Sequence, residues 1–299
     1  MTNSTRSISH SYPRDALATA LASAQRAGEV VRQIHLAGPR QIASKSAVVD
    51  LVTEADLASE RLIVDALAAA YPDHAIYAEE SSAGQEFAAL AQRHEGVWMV
   101  DPLDGTTNFA HGLPIFGISI ALQWQGQLAV GVVHDVVQQR TYWAAAGEGA
   151  WCEGRRLQVS ATAVLNRSLL ATGFSYDRAT NPDNNTREVA ALVPRVQGIR
   201  RLGSACLDLA LVASGCFDGY WEARLHPWDW GAGVLLVREA GGLVTDYDGA
   251  PWQPGANSCI ASNGKIHTAL LTCIQNARQQ PLPSLPSDGI IEATVQPGD

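Results

Sequence analysis

The chain has 299 residues, and its 21 Lys and Arg against 30 Asp and Glu give a formal net charge of −9. This charge argues against nonspecific binding to nucleic acid or anionic lipid, because both require a positive protein surface. Hydrophobic residues make up 46% of the sequence, and no apolar run approaches the ~20 residues that span a bilayer, so the composition indicates a globular protein.

The expected compartment is the cytoplasm. Residues 1–15 are polar and lack the apolar segment of a secretory signal. The sequence has an odd number of cysteines and no C-x-x-C motif. The cysteines are therefore interpreted as buried free thiols in a reducing compartment. They are Cys152, Cys206, Cys216, Cys259 and Cys273.

We expect both ends of the chain to be flexible, as an arm at residues 1–13 and a proline-rich tail at 278–299. Helical and strand patterns alternate in the residues between them. After the arm, the pattern predicts helices at 14–37 and 54–70 and then strands at 75–78, 97–100, 116–122, 129–133 and 141–144. Further along, it predicts strand 169–172, helix 205–214, strand 220–222, helix 228–240, strands 243–245 and 259–261, and a last helix from 264. This mixture favours a layered α/β or α+β fold, with the topology left open.

Two carboxylates follow the apolar strand at 97–100. Asp101 ends the run and Asp104 comes three residues later. Pro102 lies between them and has no amide hydrogen, so we expect the strand not to continue as a central strand. The simplest interpretation of the two aspartates is that they only cap a turn.

The residues that follow favour a second interpretation. Gly105 permits a tight turn, and Thr106 and Thr107 could begin a helix whose free amides attract phosphate. The two preceding carboxylates would repel such an anion unless cations lay between them. Since all the ligands are oxygen atoms, the sequence suggests Mg²⁺ or a similar hard ion.

Three other acidic segments are ambiguous when each is considered alone. Glu79 and Glu80 follow a short apolar strand and could be a solvated pair. Asp229 and Asp56 each fall in the first turn of a predicted helix, where a carboxylate commonly interacts with the helix dipole.

Together these segments resemble the inositol monophosphatase family of Mg²⁺-dependent, lithium-sensitive phosphatases, over nearly all of residues 14–275. Two signatures carry the resemblance, WMVDPLDGTTNFAHGLP at 98–114 and HPWDWGAGVLLVREAGG at 226–242. Supporting segments are DLVTEAD (50–56), AEES (78–81), GVVHD (131–135), GAWCEG (149–154), RRLGSACLDLALVASG (200–215) and YWE (220–222).

The resemblance implies an αβαβα layered fold in two lobes, residues 14–155 and 156–277, around a metal-binding cleft, and a homodimer. It implies two to three Mg²⁺ ions and inhibition by lithium. The implied metal ligands are Glu79, Asp101, the carbonyl of Leu103, Asp104 and Asp229.

The resemblance also assigns the remaining site residues. Thr106 and Asp56 would orient and deprotonate the attacking water, and the amides of Gly105 and Thr106 would hold the phosphate. The alcohol would contact Gly203, Ser204, Ala205 and Glu222. Lys45 falls in the segment that is a mobile loop in the family. His111 is interpreted as a capping or packing residue, and His226 as a residue that packs or supports a metal ligand.

The substrate implied is a small phosphorylated polyol, with inositol 1-phosphate first. The Thr107-Asn108-Phe109 trio and the 203–206 segment are similar to the monophosphatase branch, whereas Ala78 replaces a common Gly. Histidinol phosphate and fructose 1,6-bisphosphate stay open as substrates. A non-catalytic partner in transcription or ribosome biogenesis is the alternative, and the complete ligand set favours catalysis over it.

Overall fold

The computed structural model describes residues 12–38, 42–44 and 51–282. Helices in this part of the chain are α1 (Tyr12–Ala37), α2 (Glu54–Ala70), α3 (Phe87–Arg93), α4 (Thr106–Ala110), α5 (Thr186–Leu192), α6 (Ala205–Ala213), α7 (Pro227–Glu239) and α8 (His267–Arg278). Strands are β1 (Ile42–Ser44), β2 (Leu51–Thr53), β3 (Ala75–Ala78), β4 (Gly96–Asp104), β5 (Gly117–Trp124), β6 (Gln127–Asp135), β7 (Arg140–Ala145), β8 (Gly149–Cys152), β9 (Arg155–Arg156), β10 (Leu169–Thr172), β11 (Gly198–Arg200), β12 (Gly219–Ala223), β13 (Leu243–Thr245) and β14 (Ser258–Ser262).

These strands form two large sheets and one small pair. The first sheet has the order β3-β4-β5-β6-β7-β8-β9, with β3 parallel to β4 and antiparallel pairing elsewhere. The second has the order β11-β10-β12-β14-β13, in which β10 is parallel to both of its neighbours. Strands β1 and β2 pair only with each other.

Helices cover and separate the two sheets. Alternate residues of β4 face opposite sides, so that Met99 joins the core formed with α6 and α7 while Trp98 packs under α1 and α2. Helices α6 and α7 lie between the sheets, and α5 and α8 lie together beyond the second sheet. The sequence of layers is helix, sheet, helix, sheet, helix, which confirms the αβαβα prediction.

Small residues allow the middle helices to approach closely. A Cβ at Gly233 of α7 would lie 2.5 Å from Leu209 Cβ of α6. A Cβ at Gly131 of β6 would lie 2.8 Å from the carbonyl oxygen of Ala232. Neither position has room for a Cβ atom, so α7 packs closely against both the first sheet and α6. This packing places the first turn of α7 at the cleft.

The expectation that β4 does not continue as a central strand at Pro102 is confirmed, because β3 pairs with it only as far as Val100 and β5 is its one described partner beyond that point. Strand β4 continues at this edge through Pro102 to Asp104, and the register shifts between the Asp101–Ser119 pair and the Asp104–Gly117 pair. Three residues on β4 therefore advance while two advance on β5, which is a bulge. The bulge accommodates a residue that cannot donate a ladder hydrogen bond, and it changes the direction of the strand at the two carboxylates.

The structure corrects one prediction and leaves others untested. All five cysteines are free, but only Cys206 and Cys259 are buried and Cys216 is exposed, so the expectation of general burial was wrong. Lys45, residues 1–11 and residues 283–299 fall outside the described residues. The division into lobes at 155 and 156 stays a prediction, since α7 packs on both sheets. Among the described helices, none combines the length and apolar character needed to cross a bilayer.

Candidate metal-binding active site

Three carboxylates from two distant parts of the chain meet in one cavity. The bulged end of β4 carries Asp101 and Asp104, and the first turn of α7 carries Asp229. One carboxylate oxygen from each of them lies within 4.8 Å of the others. The three predicted ligands therefore converge as the sequence implied.

Burial raises the pKa values of all three carboxylates, and neighbouring negative charges add to the shift for Asp101 and Asp229. Burial and then the negative charges of Glu79, Asp104 and Asp229 raise the pKa of Asp101 well above its usual value. Burial and then Asp104 and Glu79 do the same to the pKa of Asp229. Burial also raises the pKa of Asp104, although hydrogen bonds from Cys206 and Ser204 oppose the shift. Such a set of repelling oxygens is stabilised when a cation lies between them.

Local hydrogen bonds hold each carboxylate in place. Asp101 Oδ1 accepts from the Leu103 amide at 3.0 Å, and Asp229 Oδ2 accepts from the His226 amide at 2.6 Å. Asp104 Oδ2 accepts from Ser204 Oγ at 2.9 Å and from the Cys206 amide at 2.6 Å. Among the described contacts, only one oxygen of each aspartate is used, which leaves the other for a cation.

Glu79 and Leu103 complete the predicted ligand set around the same cavity. Glu79 is half-buried just after β3, and its amide donates to the Val100 carbonyl at 3.1 Å. Buried Glu60 of α2 fixes the next residue, because its Oε2 accepts from the Glu80 amide at 2.7 Å. The donors are all hard oxygen atoms, so these residues fit Mg²⁺.

Asp56 and Thr106 form a hydrogen-bonded pair beside the carboxylates. The Thr106 hydroxyl faces Asp56 Oδ1 at 3.0 Å and the Leu103 carbonyl at 2.9 Å. Asp56 Oδ2 accepts from the Thr53 amide at 2.8 Å and from the Thr53 hydroxyl at 2.6 Å, which makes a capping box at the start of α2. The cap therefore orients the second oxygen of Asp56 toward Thr106.

Gly105 supplies the turn between β4 and α4. Its φ of 100° lies in the left-handed region, and a Cβ would lie 3.0 Å from the Ile115 carbonyl oxygen. Glycine is thus required for both conformation and space.

The far wall of the cavity comes from the second half of the chain and includes Gly203, Ser204, Ala205 and Glu222. Glu222 is buried, and its Oε2 accepts from the Tyr220 hydroxyl at 2.6 Å. Burial raises the pKa of Glu222 to about 7. Its carboxylate lies so close to Gly173 that a Cβ there would be 2.2 Å from Oε1.

Asn108 joins the two halves of the chain at the cavity. Its Nδ2 donates to the Ile115 carbonyl and to the Leu202 carbonyl, each at 2.8 Å. This second bond links α4 to the loop that leads into Gly203.

Sequence reasoning missed several residues that line the cavity, among them Arg201, Asp208 and Arg224. Arg201 and Asp208 lie inside a segment that carries the family resemblance, but nothing in their spacing indicates a role. The packing interpretation agrees with the geometry for His226, which stacks on Trp228 with ring centroids 4.4 Å apart. The capping interpretation agrees for His111, the C-cap residue of α4. His111 is exposed and follows the last residue of α4.

Comparisons with known proteins show which family the chain resembles. A sequence model of the inositol monophosphatase family matches residues 13–280. A relative named inositol-1-monophosphatase from Synechocystis is 48% identical over 232 residues, which are 77% of this chain and 79% of the relative. A relative named Nus factor SuhB from Pseudomonas aeruginosa is 45% identical over 259 residues, 86% of this chain and 94% of the relative.

Solved structures give the same result. The structure of an inositol monophosphatase from Anabaena superposes with a TM-score of 0.78 at 41% identity, covering 90% of this chain and 97% of the other. The structure of a Thermotoga maritima IMPase also gives a TM-score of 0.78, at 34% identity, covering 89% of this chain and 98% of the other.

Proposed function

The chain belongs to the inositol monophosphatase family and is a phosphatase, and on that premise we propose that it hydrolyses the phosphate monoester of a small polyol with Mg²⁺, first of all inositol 1-phosphate. The observation that carries this proposal is the convergence of Asp101, Asp104 and Asp229 beside the Asp56–Thr106 pair. A relative that is named for the inositol activity supports the choice of first substrate.

The proposed metal ligands are oxygen atoms of residues that line the cavity around the three converging aspartates. Two to three Mg²⁺ ions would be held by Glu79, Asp101, the carbonyl of Leu103, Asp104 and Asp229. When bound, Mg²⁺ would neutralise charge at the phosphate and make water more acidic. Lithium is expected to inhibit.

Asp56 and Thr106 are the proposed proton-transfer residues. As water attacks phosphorus and the bond from phosphorus to the alcohol oxygen breaks, the water's proton would pass to Thr106 Oγ1 while the Thr106 proton passes to Asp56 Oδ1, 3.0 Å away. The leaving oxygen would take up a proton from solvent and depart as the alcohol. The amides of Gly105 and Thr106 would hold the phosphate oxygens. No protein nucleophile is invoked. Cys206, the thiol next to the cavity residue Ala205, is buried, and burial and the nearby Asp104 raise its pKa well above its usual value, so it is a poor nucleophile.

Gly203, Ser204, Ala205 and Glu222 are the proposed contacts for the alcohol. Glu222 presents a carboxyl group at a buried wall, where a hydroxyl donor satisfies it. The leaving alcohol would therefore be a polyol rather than an apolar alcohol.

Phosphate release tests the function. Purified protein is assayed on myo-inositol 1-phosphate, fructose 1,6-bisphosphate and histidinol phosphate, with Mg²⁺ or with EDTA. We expect Mg²⁺-dependent release, fastest from the inositol ester. Absence of release from every substrate would overturn the proposal.

The variant Asp101→Asn tests the metal assignment. We expect at least about a 10²-fold loss of kcat, because one of the proposed Mg²⁺-binding carboxylates loses its charge. The matched control is Asp135→Asn, since Asp135 is also buried but its Oδ1 accepts only the Val137 and Gln138 amides among the described contacts. Near wild-type turnover of Asp101→Asn would refute the assignment.

A second candidate is an interaction role, which the name of the Pseudomonas aeruginosa relative, Nus factor SuhB, favours. Such a role predicts a bound partner, a component of the transcription or ribosome-biogenesis machinery, that is retained by Asp101→Asn. The net charge of −9 still leads us to expect no nucleic acid. We also propose a cytoplasmic homodimer, which light scattering on the purified protein and fractionation of cells would test.

A further inference from the structure

One acidic side chain of the cavity has no role in the proposed mechanism. Asp208 of α6 is only 1% exposed and lines the same cavity as the predicted ligands. Its Oδ1 is shut off from solvent and has no hydrogen-bond partner within the described residues. A buried carboxylate oxygen without a donor is unusual and needs an explanation.

Other buried acids in the protein have donors that explain their positions. Asp218 accepts from Ser160 Oγ at 2.5 Å and from the Leu169 amide at 2.7 Å. Glu60 accepts from the Glu80 amide. Each of these carboxylates fixes a backbone segment, whereas no described hydrogen bond gives Asp208 such a task.

Helix capping does not explain Asp208 either. It lies in the first turn of α6, where a carboxylate commonly caps free amides. The Cys206 amide at this end of the helix already donates to Asp104, and the Asp208 amide donates to the Ser204 carbonyl. No described amide of this helix end therefore holds the Asp208 side chain, whose one cationic neighbour among the charges that shift its pKa is Arg201.

The surroundings of Asp208 place it at the alcohol side of the cavity. Burial first, and then the charges of Glu222 and Asp104, raise the pKa of Asp208, while Arg201 opposes them. Its charged neighbours thus include the proposed hydroxyl acceptor Glu222. A side chain in this position adds a second polar group to the wall that the alcohol would meet.

We propose that Asp208 is a specificity-determining residue that hydrogen-bonds one hydroxyl of the polyol while Glu222 binds another. This inference rests on the proposed function, because it concerns the leaving alcohol of that reaction. A hydroxyl group both donates and accepts, so it can satisfy the Asp208 carboxyl whether or not that group carries a proton. The wall then selects alcohols that carry several hydroxyls over alcohols that carry none.

The test compares two phosphate esters. For wild type, Asp208→Ala and Asp208→Asn, kcat and KM are measured on myo-inositol 1-phosphate and on p-nitrophenyl phosphate, whose aryl group has no hydroxyl. We expect the ratio of the two kcat/KM values to fall about tenfold in Asp208→Ala, mainly through KM for the inositol ester. In Asp208→Asn the fall is expected to be about threefold, because the amide still hydrogen-bonds a hydroxyl.

Asp218→Asn is the matched control, since it alters a buried aspartate that does not line the cavity. Its ratio should equal that of wild type. If Asp208→Ala does not fold, as judged by its melting curve, the ratio for Asp208→Asn decides the question.

The outcomes separate the two proposals. An unchanged ratio in the Asp208 variants, or an equal loss on both esters, overturns the inference and leaves the phosphatase function intact. A wild-type protein that hydrolyses neither ester overturns both.

Discussion

Asp101 shows how the chemistry of the site depends on single side chains. It is 1% exposed and lies among carboxylates that raise its pKa, so its position is unfavourable unless a cation is bound. Thr106 adds a hydroxyl whose two described acceptors are the Asp56 carboxylate and the Leu103 carbonyl. The proposed mechanism thus assigns metal binding and proton transfer to different side chains. Substitutions should therefore affect the two steps separately.

Thr106→Val should remove proton transfer while keeping the shape of the side chain. We expect kcat to fall by about 10²–10⁴-fold, the usual contribution of general acid–base catalysis. The increase in melting temperature on adding Mg²⁺ should persist, because the proposed carboxylate ligands are intact. Thr106→Ser is the control that keeps the hydroxyl. Wild-type kcat in the valine variant would exclude Thr106 from the reaction.

At the level of elements, helix and strand ends position the functional groups. Strand β4 turns at its bulge to present Asp101 and Asp104, α2 carries Asp56 in its first turn, and α7 presents Asp229 in its first turn. Helix and strand ends are suited to this role because their backbone groups are only partly paired and can bind side chains.

Thr53→Ala tests whether the cap of α2 positions Asp56. The Thr53 hydroxyl donates to Asp56 Oδ2 at 2.6 Å and accepts from the Ala55 amide at 3.1 Å. Its removal should lower the free energy of unfolding by ~1 kcal/mol and also reduce kcat, because Asp56 loses one of its anchors. Thr53→Ser should retain both properties. A change in stability with wild-type kcat would limit Thr53 to a structural role.

At the scale of the whole molecule, the cavity forms only where the two halves of the chain meet. The first sheet supplies Asp101 and Asp104, whereas α6, β12 and α7 supply the substrate wall and Asp229. The hydrogen bond from Asn108 to the Leu202 carbonyl crosses between the two halves, so we expect it to affect both stability and activity.

Asn108→Ala should weaken that connection. The Ile115 and Leu202 carbonyls would both lose a donor, and we expect unfolding to require about 1–3 kcal/mol less free energy. We also expect a higher KM for the inositol ester, since the Gly203 loop is no longer tied to α4. Urea unfolding and steady-state kinetics measure the two effects. An unchanged KM would contradict the proposed link.

Metal-free stability should depend on pH with a definite sign. The pKa values of Asp101 and Asp229 are raised on folding, so from about pH 4 upward the unfolded chain releases protons that the folded protein retains. This contribution to stability is present at low pH and is lost as pH rises toward the folded-state pKa.

The comparison of wild type with Asp101→Asn isolates this effect. Buried His267, whose pKa is lowered to about 4, and buried His134, whose pKa burial also lowers, act with the opposite sign at low pH. In EDTA, the melting temperature of wild type minus that of Asp101→Asn should fall between pH 5 and pH 8, and Mg²⁺ should reverse the trend. A flat difference would contradict the electrostatic account.

Sequence by itself determined the local features of this protein. Helix α2 and strands β3, β10 and β13 have the predicted bounds, because periodicity and terminal residues act over short distances. The elements α3, α5 and β11 have only 7, 7 and 3 residues, which is too short to show a period, and they were not predicted. The acidic ligand motifs were visible because each is contiguous.

Tertiary structure decided the features that join distant residues. The path of β4 through Pro102 depends on its register with β5, and the Asn108–Leu202 contact spans 94 positions. The cavity position of Asp208 depends on where α6 packs between the sheets. A pattern read along the chain holds no information on which side chains meet across such separations, because packing brings them together only when the whole core forms.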